Sequence, residues 1–176
     1  MQIRPARPDD CPAIADIYAH HVLHGTASYE TEPPDTAEMA RRMDRVLGSA
    51  WPWLVAEAED GALLGYAYAT QFRDRAAYRF VCEDSIYIRH DARGQGVGKA
   101  LLAALLEACA ATGFRQMIAV IGGAEPASET LHASLGFTLA GRLSGIGRKQ
   151  GRWLDTLYMQ RALGLGSSAA PPFEPA

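Results

Sequence analysis

The sequence predicts an α+β (α/β) domain, and three observations carry that reading. Strand-type and helix-type runs follow one another as strand, two helices, three strands, helix, strand, helix, two strands. Asp60-Gly61 lies between two apolar strand-type runs, which is the signature of a tight hairpin. A Gly-rich segment separates a strand from a strongly apolar helix, and a continuous apolar strand follows it, as suits a buried position. The 176 residues fit one domain, large enough to bury a core without disulfides or metals.

Taken in order, residues 3–7 are extended and stop at Pro8. Asp9 or Asp10 caps a helix running to about His21, with Ile14, Ile17, Tyr18 and Val22 at helical spacing. Residues 23–35 are rich in Gly, Ser, Thr and Pro and read as a loop. Thr36 opens a second amphipathic helix through Met39, Met43, Val46 and Leu47. Strands are expected over 53–57, 63–72 and 82–88, the last with Ile86 and Ile88 on one face and Ser85 and Tyr87 on the other. A helix over 99–112 ends at a left-handed Gly113, followed by a strand over 116–121 and a helix over 127–135 that stops at Gly136. Two strands, 138–145 and 152–161, flank a turn over 147–151. The expected domain is 1–163, and the small, Pro-rich residues 164–176 read as a disordered tail.

Composition narrows the function. Hydrophobic residues make up 48% and charged residues 21%, which excludes a wholly disordered, collagen-like or membrane-spanning chain. The net charge of -3 gives no general positive surface for nucleic acid. Basic charge is uneven: only Lys99 and Lys149 are lysines, and Arg73, Arg75 and Arg79 crowd one stretch that reads as a local anion site. Cys11, Cys82 and Cys109 have neither disulfide-framework nor metal-ligand spacing, and His20, His21, His24 and His90 read as structural or surface residues. No metal site is expected. The N-terminus is broken by charge before any apolar run develops, and the apolar run over 100–111 is interrupted by Glu107, so a cytoplasmic chain without a membrane span is expected.

Arg93-Gly94-Gln95-Gly96-Val97-Gly98 sits between strand and helix. Glycines allow a tight turn and close approach of backbone to a ligand. The first amides of the following helix lack intrahelical partners and carry the positive end of its dipole, which makes a pyrophosphate site. A dinucleotide-binding fold needs the glycines after the first strand and an acid about 20 residues on, and neither is present. A Walker loop fails because no Gly-Lys-Ser/Thr follows.

Ile86-Tyr87-Ile88, Arg93 to Gly98 and Leu101-Leu102 together resemble the acetyl-CoA motif of the GNAT superfamily of N-acetyltransferases. Leu131-His132-Ala133-Ser134-Leu135-Gly136-Phe137 resembles its later helix-plus-LGF signature. Tyr29-Glu30-Thr31-Glu32-Pro33, Trp53-Leu54-Val55-Ala56-Glu57, Ala77-Tyr78, Val120-Ile121-Gly122 and Gly151-Arg152-Trp153-Leu154-Asp155 resemble the phosphinothricin and methionine sulfone (sulfoximine) N-acetyltransferases within it. The resemblance covers residues 3–163 and implies a mixed, mostly antiparallel seven-stranded sheet flanked by about four helices.

It also implies a mechanism: an amine attacks the thioester of acetyl-CoA directly, with no metal. Ile86 and Ile88, either side of Tyr87, hold the pantetheine through their backbone. The amides from Gly94 to Lys99 hold the pyrophosphate, with Arg93 and Gln95 in the same turn. Glu83 occupies the family's glutamate position as general base, and His132 matches the subfamily's histidine, able to serve as acid or base near neutrality. Arg73, Arg75 and Tyr78 fall where the subfamily recognises its amino-acid substrate, and a guanidinium suits an α-carboxylate. Tyr29 and Trp153 are expected to wall the side-chain pocket. Two departures stand out. Glu125 replaces the usual Asn before the late helix, although Ser128 remains, and a carboxylate cannot donate as an amide does. Arg73 replaces a lysine.

The function implied is acetyl transfer to the amine of a small amino acid or analogue by a homodimer, with neither nucleic acid nor membrane as partner. The alternatives are another amine (a polyamine, an aminoglycoside or a protein N-terminus) and an acyl-CoA-binding sensor without turnover.

Overall fold

Period-2 alternation places the core on both faces of a single sheet. The computed structural model describes residues 1–171. Its elements are β1 (Gln2–Pro5), α1 (Cys11–His24), α2 (Thr36–Gly48), β2 (Trp53–Glu57), β3 (Leu63–Gln71), β4 (Val81–Ile88), α3 (Val97–Ala111), β5 (Gln116–Gly122), α4 (Pro126–Ser134), β6 (Thr138–Lys149) and β7 (Arg152–Ala162). The sheet order is β1-β2-β3-β4-β5-β7-β6. Only β4 and β5 run parallel, joined across the sheet by α3, and the other pairs are antiparallel. This is the seven-stranded, mostly antiparallel sheet with four helices that the resemblance implied.

Leu54 and Ala56 on β2 face α3, packing in one cluster with Leu101, Leu102, Leu105, Met117 and Met159. Trp53 and Val55, one residue out of step, face α1 and α2 with Ile14, Tyr18, Met43 and Tyr66. β4 follows the same rule: Cys82 and Ile86 lie on the α3 face, while Tyr87 packs on Tyr18 with ring centroids 4.8 Å apart.

Local chemistry moves several boundaries. Asp35, not Thr36, caps α2: its side chain accepts from the Glu38 N–H at 2.7 Å. Asp10 stands at the N-cap of α1 without capping it; its carboxylate takes the Arg7 N–H and both terminal nitrogens of Arg4. α3 starts two residues earlier than expected, because left-handed Gly96 ends the preceding turn. β6 runs on to Lys149, so the final turn is only Gln150-Gly151, both at positive φ as a two-residue hairpin turn requires. Gly145 and Gly147 therefore belong to the strand, where a register shift between Leu143 and Gly147 absorbs them. In the expected tail, Gly166 and Ser168 donate back to the Leu163 and Leu165 carbonyls as successive turns, and residues 172–176 lie outside the described residues.

Arg4 joins β1 to α1 and β2 through Asp10 and Glu57, with its side chain only 13% exposed. Arg4→Ala strands two carboxylates in a largely buried setting, so a loss of about 2–3 kcal/mol is expected in denaturant unfolding at pH 7. Burial raises the Asp10 carboxyl, but the hydrogen bonds from Arg4 and Arg7 outweigh it and hold it below the usual range. Its contribution is therefore complete above about pH 4 and fades as pH falls through the lowered value, so the deficit of the variant shrinks in acid.

Candidate active site

β4 and β5 pair only from Val81↔Gln116 to Asp84↔Ala119, then part, although β4 continues to Ile88 and β5 to Gly122. The Arg89 N–H donates to the Leu64 carbonyl of β3, and Gly65 of the same strand lies opposite Ile88. Backbone groups of odd-numbered residues on this part of β4 thus point to β3, and those of Ile86 and Ile88 point into the gap. The gap presents an unpaired strand edge to an extended ligand. His21 Nε2 already lies 2.9 Å from the Ile88 carbonyl oxygen.

Two cavities meet at this split, sharing Ala27, Ile86 and Ser128 in their walls. The first, about 400 Å³, is lined among others by Tyr29, Glu30, Glu83, Asp84, Tyr87 and His132. No lysine or arginine of the described residues lines it. Its roof is the loop after α1. Tyr29 Oη lies 2.6 Å from Thr156 Oγ1 and 3.0 Å from the Asp155 carbonyl, while the Gly123 N–H donates to it at 3.3 Å. The ring lies so close to Gly147 that a Cβ there would come within 2.7 Å of it. Lys149, buried at the end of β6, donates to the Ser28 carbonyl at 2.7 Å, and burial lowers its pKa. Tyr18 and Arg42 both donate to Glu30 and fix its carboxylate.

Glu83 and Asp84 leave β4 on opposite faces, and both reach the first cavity because the sheet opens there. Burial pushes the Glu83 carboxyl up; Arg73, with Nη1 3.9 Å from Oε2, pulls against this, and Asp84 reinforces it, leaving the group above the ordinary carboxylate range. His132 comes from α4 and is buried. Its Nε2 lies 3.1 Å from Asp84 Oδ2 and its Nδ1 lies 2.7 Å from the Ser128 carbonyl. Burial lowers the imidazole pKa, but the hydrogen bond and charge of Asp84, with the Ser128 carbonyl, raise it above the ordinary value.

The second cavity, about 570 Å³, holds the Gly-rich turn: Arg93, Gly94, Gly96, Val97, Gly98 and Lys99 line it. Gly94 and Gly96 are left-handed, with φ of 74° and 81°, and a Cβ on either would meet nothing within 4 Å. Their backbone faces open space. The Ala100 N–H already bonds the Gly96 carbonyl, which leaves the amides of Val97, Gly98 and Lys99 free at the head of α3. A Cβ on Gly98 would crowd Leu131 at 3.3 Å, so this glycine sets the approach of α3 to α4. This donor set fits a diphosphate. Glu125 also lines the cavity at the N-cap of α4 without capping it, and Ser128 follows. Gln95 turns away and donates to the Asp91 carbonyl.

The remaining expected residues are more scattered. Arg73 stacks on Phe72 with its guanidinium 4.0 Å from the ring, exposed, and reaches only the edge of Glu83. Arg75 precedes a short 3₁₀ turn, Ala76–Tyr78, and Tyr78 ends it; neither lines a cavity described above. Trp153 lines neither cavity and is 65% exposed, since alternation on β7 buries Leu154 and turns Trp153 outward beside Arg148. Conversely, His20, His21 and His24, read from sequence as structural or surface residues, line the second cavity. Among the described residues no group of three or more His, Cys, Asp or Glu is placed to hold a metal ion, and no helix is long and apolar enough to cross a membrane.

Residues 3–158 match the acetyltransferase (GNAT) domain. The chain belongs to the GNAT acetyltransferase family. It is 54% identical over 170 residues to a phosphinothricin N-acetyltransferase of Alcaligenes faecalis, covering 96% of this chain and 86% of the relative. It is 39% identical over 158 residues to an L-methionine sulfoximine/L-methionine sulfone acetyltransferase of Pseudomonas aeruginosa, covering 90% and 92%. The crystal structure of a GNAT superfamily phosphinothricin acetyltransferase from Sinorhizobium meliloti in complex with acetyl-CoA superposes with a TM-score of 0.95 at 54% identity, covering 97% of this chain and 92% of that one.

Proposed function

We propose that this chain transfers the acetyl group of acetyl-CoA to the amine of a small amino acid or analogue of the phosphinothricin, methionine sulfone or methionine sulfoximine type. The carrying observation is the acid-walled cavity at the strand split, continuous with a diphosphate-binding turn. When bound, acetyl-CoA supplies the thioester; Ile86 and Ile88 hold its pantetheine arm by backbone, and the amides from Val97 to Lys99, with Arg93, hold its diphosphate. Glu83 takes the proton that frees the amine lone pair, and burial makes it a stronger base than an ordinary carboxylate. His132 holds its proton within the pair it makes with Asp84. Tyr29 seats the roof of the cavity, and Arg73 meets the α-carboxylate at the rim beside Glu83, with Arg75 and Tyr78 on the same loop.

The reading also includes a cytoplasmic homodimer. β6 is an edge strand whose Leu139, Leu143 and Ile146 are exposed, and this apolar face suits a second copy. Sedimentation of the purified protein tests the pairing, with a monomer as the contrary result. A net charge of -3 gives no support to a nucleic-acid partner. The three carboxylates lining the cavity favour one second reading, a polyamine acceptor.

Arg73→Ala separates the two. Above the acid limb, the variant is expected to raise the KM for methionine sulfone about tenfold or more and to leave the KM of the same amine without its carboxyl unchanged. It also removes the cation that opposes the rise in the Glu83 pKa, so the acid limb of the pH–rate profile moves to higher pH. Equal loss on both amines removes the carboxylate contact from the account.

A further inference from the structure

Asp84 and His132 form the most deeply buried polar pair of the site, each side chain 2% exposed. The Ser128 carbonyl facing His132 Nδ1 can only accept, so Nδ1 carries a hydrogen. Nε2 faces Asp84 Oδ2, and a hydrogen lies on that line too. With both ring nitrogens committed to the protein, His132 offers the cavity no lone pair and no free N–H. Around the ring, β4 contributes the charge of Asp84, α4 the Ser128 carbonyl, and Phe137 packs edge-on at 5.0 Å. The open valence of the pair is Asp84 Oδ1, a buried oxygen without a hydrogen-bond partner on a residue that lines the first cavity. A buried acceptor left without a donor is costly, and an incoming ammonium brings three donors.

We propose that Asp84 is an amine-binding residue, whose Oδ1 accepts an N–H of the acceptor amine, and that His132 is its positioning partner. This rests on the N-acetyltransferase reading and divides the labour between neighbouring carboxylates. Glu83 takes one proton from the ammonium, while Asp84 holds another N–H and so aims the freed lone pair. The C–N bond forms and the C–S bond breaks with its electron pair left on sulfur. The nitrogen then loses a second proton as the amide forms; of the two protons released, one ends on the thiolate and one in solvent. His132 keeps Asp84 fixed and its charge balanced, and does not itself touch the reacting atoms.

The test pairs Asp84→Asn with ring-nitrogen NMR of His132 in the wild-type protein. Asn keeps the shape but offers a neutral amide. Its amine KM is expected to rise about 10- to 100-fold, with the acetyl-CoA dissociation constant by calorimetry unchanged. In the wild type at pH 7 both His132 nitrogens are expected to be protonated, and their resonances to move on adding amine with a midpoint matching the KM. This second readout stands even if the variant does not fold. An active wild type with a ring that saturating amine leaves unmoved overturns the proposal, as does a variant with unchanged amine KM or one that loses acetyl-CoA affinity in step. A wild type inactive on every amine overturns the parent reading, and this proposal with it.

Discussion

Glu83→Gln is expected to slow acetylation at neutral pH by about 10²- to 10⁴-fold, the usual contribution of a positioned general base, with acetyl-CoA affinity retained. Gln matches Glu in size and keeps an acceptor oxygen, so the cavity wall survives while the proton acceptor is lost. The sign of the pH dependence follows from the geometry. Burial and Asp84 hold the Glu83 carboxyl above its ordinary range, against the pull of Arg73. A base works only when ionised, so the wild-type rate falls as pH drops through that raised value, and the variant lacks this limb. Measured kcat/KM against pH for both proteins checks the point. A variant that keeps the acid limb takes Glu83 out of proton transfer.

The second large effect lies outside the charged groups. Gly122 ends β5 beneath the loop that roofs the cavity, and an added Cβ would come 2.8 Å from the Ala27 carbonyl oxygen and 2.9 Å from that of Thr26. These are backbone atoms, which cannot rotate away as a side chain can. Gly122→Ala is therefore expected to lift the loop that carries Tyr29 and Glu30, at about 1–3 kcal/mol. A displacement near 1 Å at a positioned site costs on the order of 10²-fold in rate, so amine kcat/KM should fall by about that factor. Gly141→Ala on β6, where a Cβ meets nothing within 4 Å, is the matched control, expected to leave melting temperature and kinetics unchanged. Equal behaviour of the two variants would show that the roof does not need its close approach to β5.

Much of this was legible in the sequence because it depends on period and turn chemistry. Alternation on β4 put Ile86 and Ile88 on one face, and the glycines from Gly94 to Gly98 announced a tight turn that lines a cavity with backbone. The misreadings have local causes. Asp35 and Thr36 are adjacent capping residues, and only the side-chain direction decides between them. Gly147 looks like the start of a turn, but it lies in β6 just past a register shift, where its missing Cβ admits the Tyr29 ring. Glu83 and Asp84 are neighbours on a strand, so alternation alone sets them on opposite faces; what sequence does not show is that β4 and β5 part at Asp84, so that both faces open into one cavity. His20, His21 and His24 carried no signal, since their meeting with the Gly-rich turn depends on the packing of α1 across the split. The resemblance set Trp153 in the pocket wall, and one step of alternation on β7 turns it outward instead.

The most direct test of acetyl transfer to a small amino acid is release of free thiol from acetyl-CoA across a panel of amines. The panel holds methionine sulfone, methionine sulfoximine, phosphinothricin, the common amino acids, spermidine and an aminoglycoside. Turnover concentrated on the first three is the expected result. Turnover confined to spermidine or the aminoglycoside, or acetyl-CoA bound with no turnover on any amine, would contradict the account.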